Sequence, residues 1–559
     1  MRHMPAGIAR RVAVSLLALA GPALAVTSMA QTPATAAGGR PDALERLQTE
    51  LDALLRSGVS RRYGLAWAAV PEPEFRGGGG GVTGPGGGPS AGGGPSAGGG
   101  PSAGGGAVGG GGAGRNAPVV SYLPGHTPAA GLLLHLTAEL LDRPDQPQAV
   151  RDNGRRYREA AVQVARGIAA AMDDNGRVPS SATFATTGLS ARESYGLVPP
   201  RAASTASLGF LLTLERDVPG DPRLSTAVTR LSSWLVRQPL RPGVLPVAGD
   251  LPGTRLQKRI VRLDLPDTRD GVLALLLIGL PAEPLASPPR SPAPPAPVAP
   301  SSVTSPAASA GGTESASPTT SPARPPARFT EARLAAERVV QHLLRLRQSE
   351  VDRPSRHLWF PAFEMDGAVI TRLPELPPTG HLLASRYALQ TLLAYHLATG
   401  SPELLDIARL TAQALEARRG PDGLFPLVDD PQRRFPPPTP TDAAGTPDAL
   451  TPVWPRGDWG IPPTLKTVAD LRTLGHRNFL VVTGRALPLP LAFAAILAGL
   501  TDELPTAEWP LTRAQIDVFL SARPDLLSLA TSPEPVELDQ RVRRLWVLYL
   551  LARWQQQLP

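Results

Sequence analysis

Two kinds of apolar pattern alternate along this chain. One is apolar on every side and rich in small residues, over residues 127–141, 201–214, 268–280, 381–398 and 489–500. The other sets an apolar stripe against arginine and glutamate, over 42–55, 153–172, 223–237, 330–347 and 402–418. Both follow the helical period. A helix apolar all round is enclosed by other helices, whereas a striped one keeps a face in water. The two kinds alternate strictly through the first nine helices. With 489–500, 512–522 and 537–556 they make twelve, which is six inner–outer hairpins.

A recurring punctuation sits in the long connections that precede the apolar helices: a small residue, a few apolar residues, then proline. The copies end at Pro71, Pro179, Pro246, Pro361 and Pro426, at spacings of 108, 67, 115 and 65. Two low-complexity inserts account for the irregularity. Without residues 77–114 and 281–327 the spacings become 70, 67, 68 and 65. A fixed period of that length marks a repeat architecture. Glycine in the motif is expected to supply a left-handed turn, and proline then stops the helix from continuing. Residues 77–114 repeat Pro-Ser-Ala-Gly-Gly-Gly and 281–327 are rich in Pro, Ser and Ala, compositions that cannot bury a core. Because neither insert breaks the phase, both are read as loops inside one domain. The segments are then 31–76, 115–280 and 328–559, after a leader at 1–30.

Alternating inner and outer helices, together with Arg419-Gly420-Pro421-Asp422-Gly423-Leu424-Phe425 and Met172-Asp173-Asp174-Asn175-Gly176, resemble the (α/α)6 toroid, or six-hairpin, superfamily of secreted glycosidases and polysaccharide lyases. The resemblance implies an all-α toroid of helical hairpins. It covers most of 42–556 as a pattern. Residues 435–487 depart from it, being too long for one loop and showing no clean helical stripe.

The leader reads as a secretory signal peptide: Arg2, Arg10 and Arg11, an apolar run from Val12 to Val26, and Ser28-Met29-Ala30 before Gln31. An exported protein is expected, periplasmic or extracellular, with no membrane span after cleavage. The chain has no cysteine, which excludes disulfides and thiolate metal sites. Net charge is +8, and three of its positive charges lie in the leader. The basicity is almost all arginine, since Lys258 and Lys466 are the only lysines. It is spread along the chain, and no nucleic-acid motif is present. Nothing in the sequence sets the oligomeric state.

In a ring of this kind the long connections gather over the N-termini of the inner helices, where the helix dipoles and free N–H groups favour anions. The candidate chemistry lies in those connections. Arg262, Asp264, Asp267, Arg269 and Asp270 lead into the third apolar helix. Asp267 and Asp270 also fit a near capping box; Asp264 has no capping position and is the first choice for a catalytic carboxylate. Trp359, Glu364 and Asp366 precede the fourth, which opens with His381, Ser385 and Arg386. His381 reads either as a catalytic base or as a hydrogen-bonded helix-start residue. Ser385 lacks the elbow of a nucleophile. Trp454, Asp458 and Trp459 follow. Tryptophan beside carboxylate suits a sugar ring, which stacks its C–H face on the indole; the same residues could simply plug the mouth.

The expected site is therefore Asp264, His381 and Asp458 as catalytic groups. Arg262, Arg269, Trp359, Glu364, Asp366, Arg386, Trp454 and Trp459 are the expected substrate contacts. No cofactor or metal site is expected, except a calcium ion if the chemistry is that of a lyase. Carboxylate spacing, which would separate retaining from inverting hydrolysis, cannot be read from sequence. The resemblance implies a hydrolase or lyase acting on an acidic polysaccharide or oligosaccharide. A non-catalytic scaffold that binds a glycan or a protein of the cell envelope is the alternative. A terpene-cyclase-like toroid is a remote one, because the sequence has no Asp-Asp-x-x-Asp or Asp-x-Asp-Asp run.

Overall fold

The computed structural model describes residues 43–69, 117–185, 188–192, 201–237, 260–280, 327–347, 357–364, 368–369, 380–429, 456–507 and 537–557. The leader, the first insert, residues 281–326 of the second and the expected helix 512–522 lie outside the described residues; Ala327, the last residue of the second insert, opens a helix instead. The architecture is all-helical, an α/α toroid with a few short two- and three-stranded β pairings. Its inner row comprises α2 (Thr127–Leu141), α4 (Ala202–Asp217), α6 (Asp267–Gly279) and α8 (Leu382–Thr399). The outer row runs α1 (Ala43–Ser57), α3 (Gln148–Ala171), α5 (Pro222–Arg237), α7 (Ala327–Leu346) and α9 (Pro402–Glu416). Each inner helix packs on the outer helix that follows it and on its inner neighbours. The C-terminal α12 (Leu538–Gln557) packs on α1 and α2. The apolar stripe of α1, which has no partner of its own in sequence, is thereby buried: Leu44, Leu47, Leu51 and Leu54 all lie in the core. Arg544 of α12 also pairs with Glu50 of α1 at 2.6 Å.

Residues 435–487 do contain a helix, against expectation. α10 (Ile461–Ala486) is a long one broken at Gly475, whose φ of 73° lies outside the helical range. The break resets the stripe halfway along, so neither half is long enough to stand out in the sequence. The next helix, α11 (Leu489–Ala498), departs from a regular sixfold ring. Its principal partners are α4, then α6 and α2. Since α4 is already flanked by α2 and α6 and backed by α5, α11 covers its one remaining side and fills the ring. Gly209 of α4 makes this approach possible: a Cβ there would lie 3.1 Å from the Ala494 carbonyl oxygen and the Leu497 Cβ.

The repeated punctuation has a repeated job. In three copies a backbone amide of the motif donates to a hydroxyl in the first turns of the next inner helix: Trp67 to Thr127 Oγ1 (3.1 Å), Val178 to Ser204 Oγ (3.0 Å) and Trp359 to Ser385 Oγ (2.9 Å). Two of the motif glycines press on the following outer helix. A Cβ on Gly64 (φ 141°) would stand 2.3 Å from the Gln163 carbonyl oxygen of α3, and one on Gly176 (φ 88°) would stand 2.6 Å from that of Arg230 in α5. Trp67 and Trp359 are further matched by their indoles, which donate to the Leu54 and Leu343 carbonyls at the ends of α1 and α7 (2.8 and 2.9 Å). A helix end leaves carbonyls without partners, and the indole N–H fills one of them. So these three copies tie a connection to the next inner helix, and at Trp67 and Trp359 to the outer helix before it as well.

Short β pairings join neighbouring connections. β1 (Val59–Arg61) pairs with β2 (Gly64–Ala66), β3 (Val119–Ser121) with β4 (Ser181–Phe184), and β4 with β5 (Leu189–Arg192). β6 (Ile260–Arg262) pairs with β7 (Ala362–Glu364), and β8 (Phe425–Pro426) with β9 (Arg456–Gly457). All are antiparallel. They fence the face on which the inner helices begin.

Both indole clamps can be tested. Trp67→Ala and Trp359→Ala should each cost about 3–5 kcal/mol in urea unfolding, the usual penalty for emptying a buried indole site. Ser385→Ala, which strands the Trp359 amide, should cost about 1–3 kcal/mol. A change under about 0.5 kcal/mol for Trp359→Ala would show that this residue is not part of the frame.

Candidate functional site

At the N-terminal ends of α4, α6 and α8 the structure buries arginines. Arg201 immediately precedes α4, Arg269 lies in the first turn of α6 and Arg386 in the second turn of α8; each is only 3–4% exposed. These positions face the positive ends of helix dipoles, so each guanidinium needs a carboxylate to offset both the dipole and its own lost hydration. Arg201 pairs with Asp267, the first residue of α6. Arg269 Nε donates to Asp270 Oδ1 at 2.9 Å, and its Nη1 donates to Gln390 Oε1 (2.9 Å) and to Asp502 Oδ1 (2.6 Å). Arg386 Nη2 donates to Asp502 Oδ2 (3.0 Å) and to the Asp502 carbonyl (3.1 Å). Gln390 Nε2 completes the set, donating to that carbonyl and to Thr464 Oγ1 of α10. Both guanidinium carbons stand 5.1 Å from the centre of the Tyr387 ring, a cation–π arrangement.

Asp502 was not among the residues expected from sequence. It lies four residues beyond the end of α11, on the segment 499–507 that runs across the inner-helix N-termini. The start of that segment is fixed near α2, where the Gly125 amide donates to Ala498 at 2.6 Å. The packed surroundings of its charged end push the Asp502 carboxyl up, although the side chain keeps 48% of its surface open, and Arg269 and Arg386 outweigh that push and hold it well below the usual carboxylate range. For Asp270 the balance is reversed: burial pushes it up to about 6, against the opposing pull of Arg269. Mouth carboxylates with such different environments are the raw material of acid–base chemistry.

A second cluster lies beside the first. Arg262, at the end of β6, grips Asp264 with both prongs of its guanidinium, Nε to Oδ1 at 3.0 Å and Nη2 to Oδ2. Asp264 is 9% exposed. Both charges act on His381, but burial dominates and pushes the imidazole down to about 4. His381 precedes α8 and its Nδ1 accepts the Ala384 amide at 3.2 Å. A neutral ring that accepts at Nδ1 carries its proton on Nε2, so at neutral pH His381 is a cap with an N–H to give and not a base. The helix-start reading is the one the geometry fits.

The remaining expected residues separate. Trp359 has no exposed surface, so it plugs the frame and offers no face to a sugar. Asp458 is exposed and opens α10, its Oδ1 accepting the Gly460 amide at 2.9 Å and its carbonyl the Ile461 amide. That is an Asx-turn leading into the helix, whose N-cap is Gly460. Trp459 stays half-buried with its indole tied to the Phe425 carbonyl at 2.9 Å. It is held at a φ of 51°, and Gly460 follows at 64°. Two left-handed residues in a row are costly for a tryptophan. They bring Gly460 against Arg386, where a Cβ would lie 2.6 Å from the guanidinium carbon. Glu364 ends β7 opposite Ile260. Asp366 and Trp454 lie outside the described residues.

One group among the described residues has ligand atoms spaced for a metal: His135, Glu139 and Asp217, whose atoms lie within 4.8 Å of one another. It sits at the opposite ends of α2 and α4, far along the helices from the mouth. His135 Nε2 and Asp217 Oδ2 are already 2.7 Å apart. Burial and the adjoining Asp217 push Glu139 up to about 8, with Arg553 and Arg158 pulling the other way.

No protein-family model matches the chain, and no curated protein is similar to it in sequence. Among solved structures it is similar to the unsaturated glucuronyl hydrolase of Bacillus sp. GL1, described as responsible for the degradation of glycosaminoglycan. Identity is 12%, with 76% of this chain and 83% of that chain covered, at a TM-score of 0.34. The chemistry of this mouth therefore rests on its own residues.

The raised Asp270 has a measurable consequence. Its folded value of about 6 exceeds the ordinary 3.8, so the folded state holds this proton more tightly than the unfolded chain does. Its contribution to stability is complete below about pH 4 and is lost as pH rises to about 6. His381 works the other way, its contribution being lost as pH falls from about 6.5 to 4. The wild type minus Asp270→Asn difference in unfolding free energy isolates the first. It should decline between pH 4 and 6, by at most ~3 kcal/mol. A flat or rising difference contradicts the assignment.

Proposed function

We propose that this chain is an exported, carbohydrate-active toroid that acts on a polysaccharide or oligosaccharide bearing carboxylate groups. One observation carries the reading: two nearly fully buried arginines, Arg269 and Arg386, converge from adjacent inner helices on a single carboxylate at the mouth. Guanidinium forks recognise carboxylates through planar, directed N–H groups, and arginine keeps its charge at any working pH. Trp459, on its strained turn beside Arg386, supplies the aromatic surface for a sugar ring. Asp264 is the catalytic carboxylate of this proposal, with Asp270 the group able to carry a proton near pH 6. His381, Asp458 and Trp359 are assigned to capping, turn formation and packing instead. Glu364, Asp366 and Trp454 keep their place as substrate contacts of the proposal, on sequence grounds alone.

Binding without turnover is the second reading. It is favoured by α11, which fills the ring, and by the ion pairs themselves, which account for the charged residues of the mouth without any reaction.

A panel of carboxylated and neutral polysaccharides separates these readings. Calorimetric binding is expected for the carboxylated ones only. Arg386→Met should weaken it at least tenfold, and Trp459→Ala by about 1–3 kcal/mol, the size of an aromatic stacking contact. Release of reducing ends, or growth of the unsaturated-uronate absorbance, marks turnover, and Asp264→Asn should abolish it while sparing binding. Binding with no product establishes the second reading. Equal binding of neutral polymers removes the proposal.

A further inference from the structure

Asp502 is held in a way that leaves its binding partners only half used. Each of its carboxylate oxygens receives one guanidinium N–H, from Arg269 on one side and from Arg386 on the other. Neither arginine gives it two parallel bonds, the stronger arrangement for this pair of groups. Arg386 has the second prong ready. Its Nε is buried and finds no hydrogen-bond partner among the described residues, although Nε and Nη2 form one edge of the guanidinium. Gly460 does not cover that edge. Its would-be Cβ is as near to the central carbon (2.6 Å) as to Nη2 (2.6 Å) and farther from Nε (3.1 Å), which puts it over the flat face. An orphaned buried donor carries a real cost, and here it lies beside a carboxylate too short and too tethered to reach it. Meanwhile the arginines are 4% exposed and the Asp502 side chain 48%. The cations are walled in and their carboxylate is the solvent-facing part.

We infer that Asp502 is a built-in occupant of a carboxylate-binding site, and that a carboxylate on an external ligand displaces it and the segment 499–507 to take both prongs of Arg386 together with Arg269. The ligand class is a uronate or a comparable organic acid. This inference rests on the proposed glycan reading for its biological ligand, but the site itself is defined by the two arginines. Exchange of one carboxylate for another conserves charge, so the buried cations are never left bare, which would be the costly step. It also makes the site self-competing: the apparent affinity for a ligand is reduced by the fraction of time in which Asp502 is away.

The test uses the full chain with Asp502→Gly, and Asp502→Asn as the variant that keeps the segment's shape if the first folds poorly. Both should melt below wild type, because Arg386 loses the carboxylate it pairs with and Arg269 keeps only Asp270. Sodium D-glucuronate, and more weakly sodium acetate, should restore the melting temperature saturably, where sodium chloride at equal ionic strength does not. If Asp502 occupies the site at least nine-tenths of the time, glucuronate should bind the variant about tenfold or more tighter than wild type. Arg386→Met in either background should erase the response. No carboxylate response in either variant, or an equal one in wild type and variant, overturns the inference. A response that survives Arg386→Met also overturns it. Glucuronate rescue with no polymer binding sinks the glycan reading and leaves this site standing. Equal polymer binding by wild type and variant leaves the glycan reading and removes the displacement.

Discussion

A helix without a polar face has to be surrounded, and this fold is the consequence of having five of them. α2, α4, α6 and α8 bury essentially every residue in their central turns, and so does α11. Burying an apolar side chain stabilises by about 1.5–3 kcal/mol, so exposing any one of these helices along a side would cost far more than a domain's net stability. The striped helices solve half the problem by backing each inner helix from outside. The ring solves the lateral half. α11 solves what remains, since an inner helix that lines a hole would still show water one apolar side.

The same enclosure explains why charge gathers at one end. Inner helices leave their first N–H groups and the positive ends of their dipoles on the mouth side. Anions belong there, and Asp267, Asp270 and Asp502 supply them. What needs explanation is the arginines, which the dipole repels. Arg201 is balanced locally by Asp267 of the next inner helix, and its pair is a link between α4 and α6. Arg269 and Arg386 instead look to a segment distant in sequence, 502 against 269 and 386. A frame alone could have used an apolar residue at both places, since replacing a buried ion pair by hydrocarbon is often neutral or better.

The helices were legible in sequence because their signal is redundant: a 3.6-residue period within each, and a 65–70-residue period among them. Bounds of the inner helices agree with the apolar runs to within a few residues. α10 was hidden because Gly475 splits it, and α11 was recognisable as apolar while its place inside the ring was not, because being buried on all sides does not say by whom. The role of Trp359 was hidden by the motif itself: it stands two residues before Pro361, whereas Trp67 stands four before Pro71, and only their matching amide and indole bonds make the two equivalent. Asp264, Arg262, Arg269 and Arg386 were picked out as a mouth cluster, and all four lie there. Their partners were not legible. Asp502 follows the helix 489–500 in a stretch, Thr501-Asp502-Glu503, with nothing to set it apart, and only the path of α11 across the ring brings it over α6 and α8.

That path also limits where a ligand can sit. In a ring with an open centre, recognition groups can lie deep among the inner helices. Here α11 packs against α4, α6 and α2 on the inner side and ends at the mouth beside Gly125, so the segment 499–507 lies over the buried Arg269 and Arg386 through Asp502. The groups left to greet a ligand are those of the rim: the half-exposed Asp502, Trp459 on its strained turn, and the Arg262–Asp264 pair at the end of β6. A rim built from successive connections favours an extended molecule over one small enough to be swallowed. On the proposed function, long chains with repeated acidic groups meet that condition, because each added residue can find another connection to touch, and the carboxylate exchange proposed at Asp502 would engage one of their acidic groups.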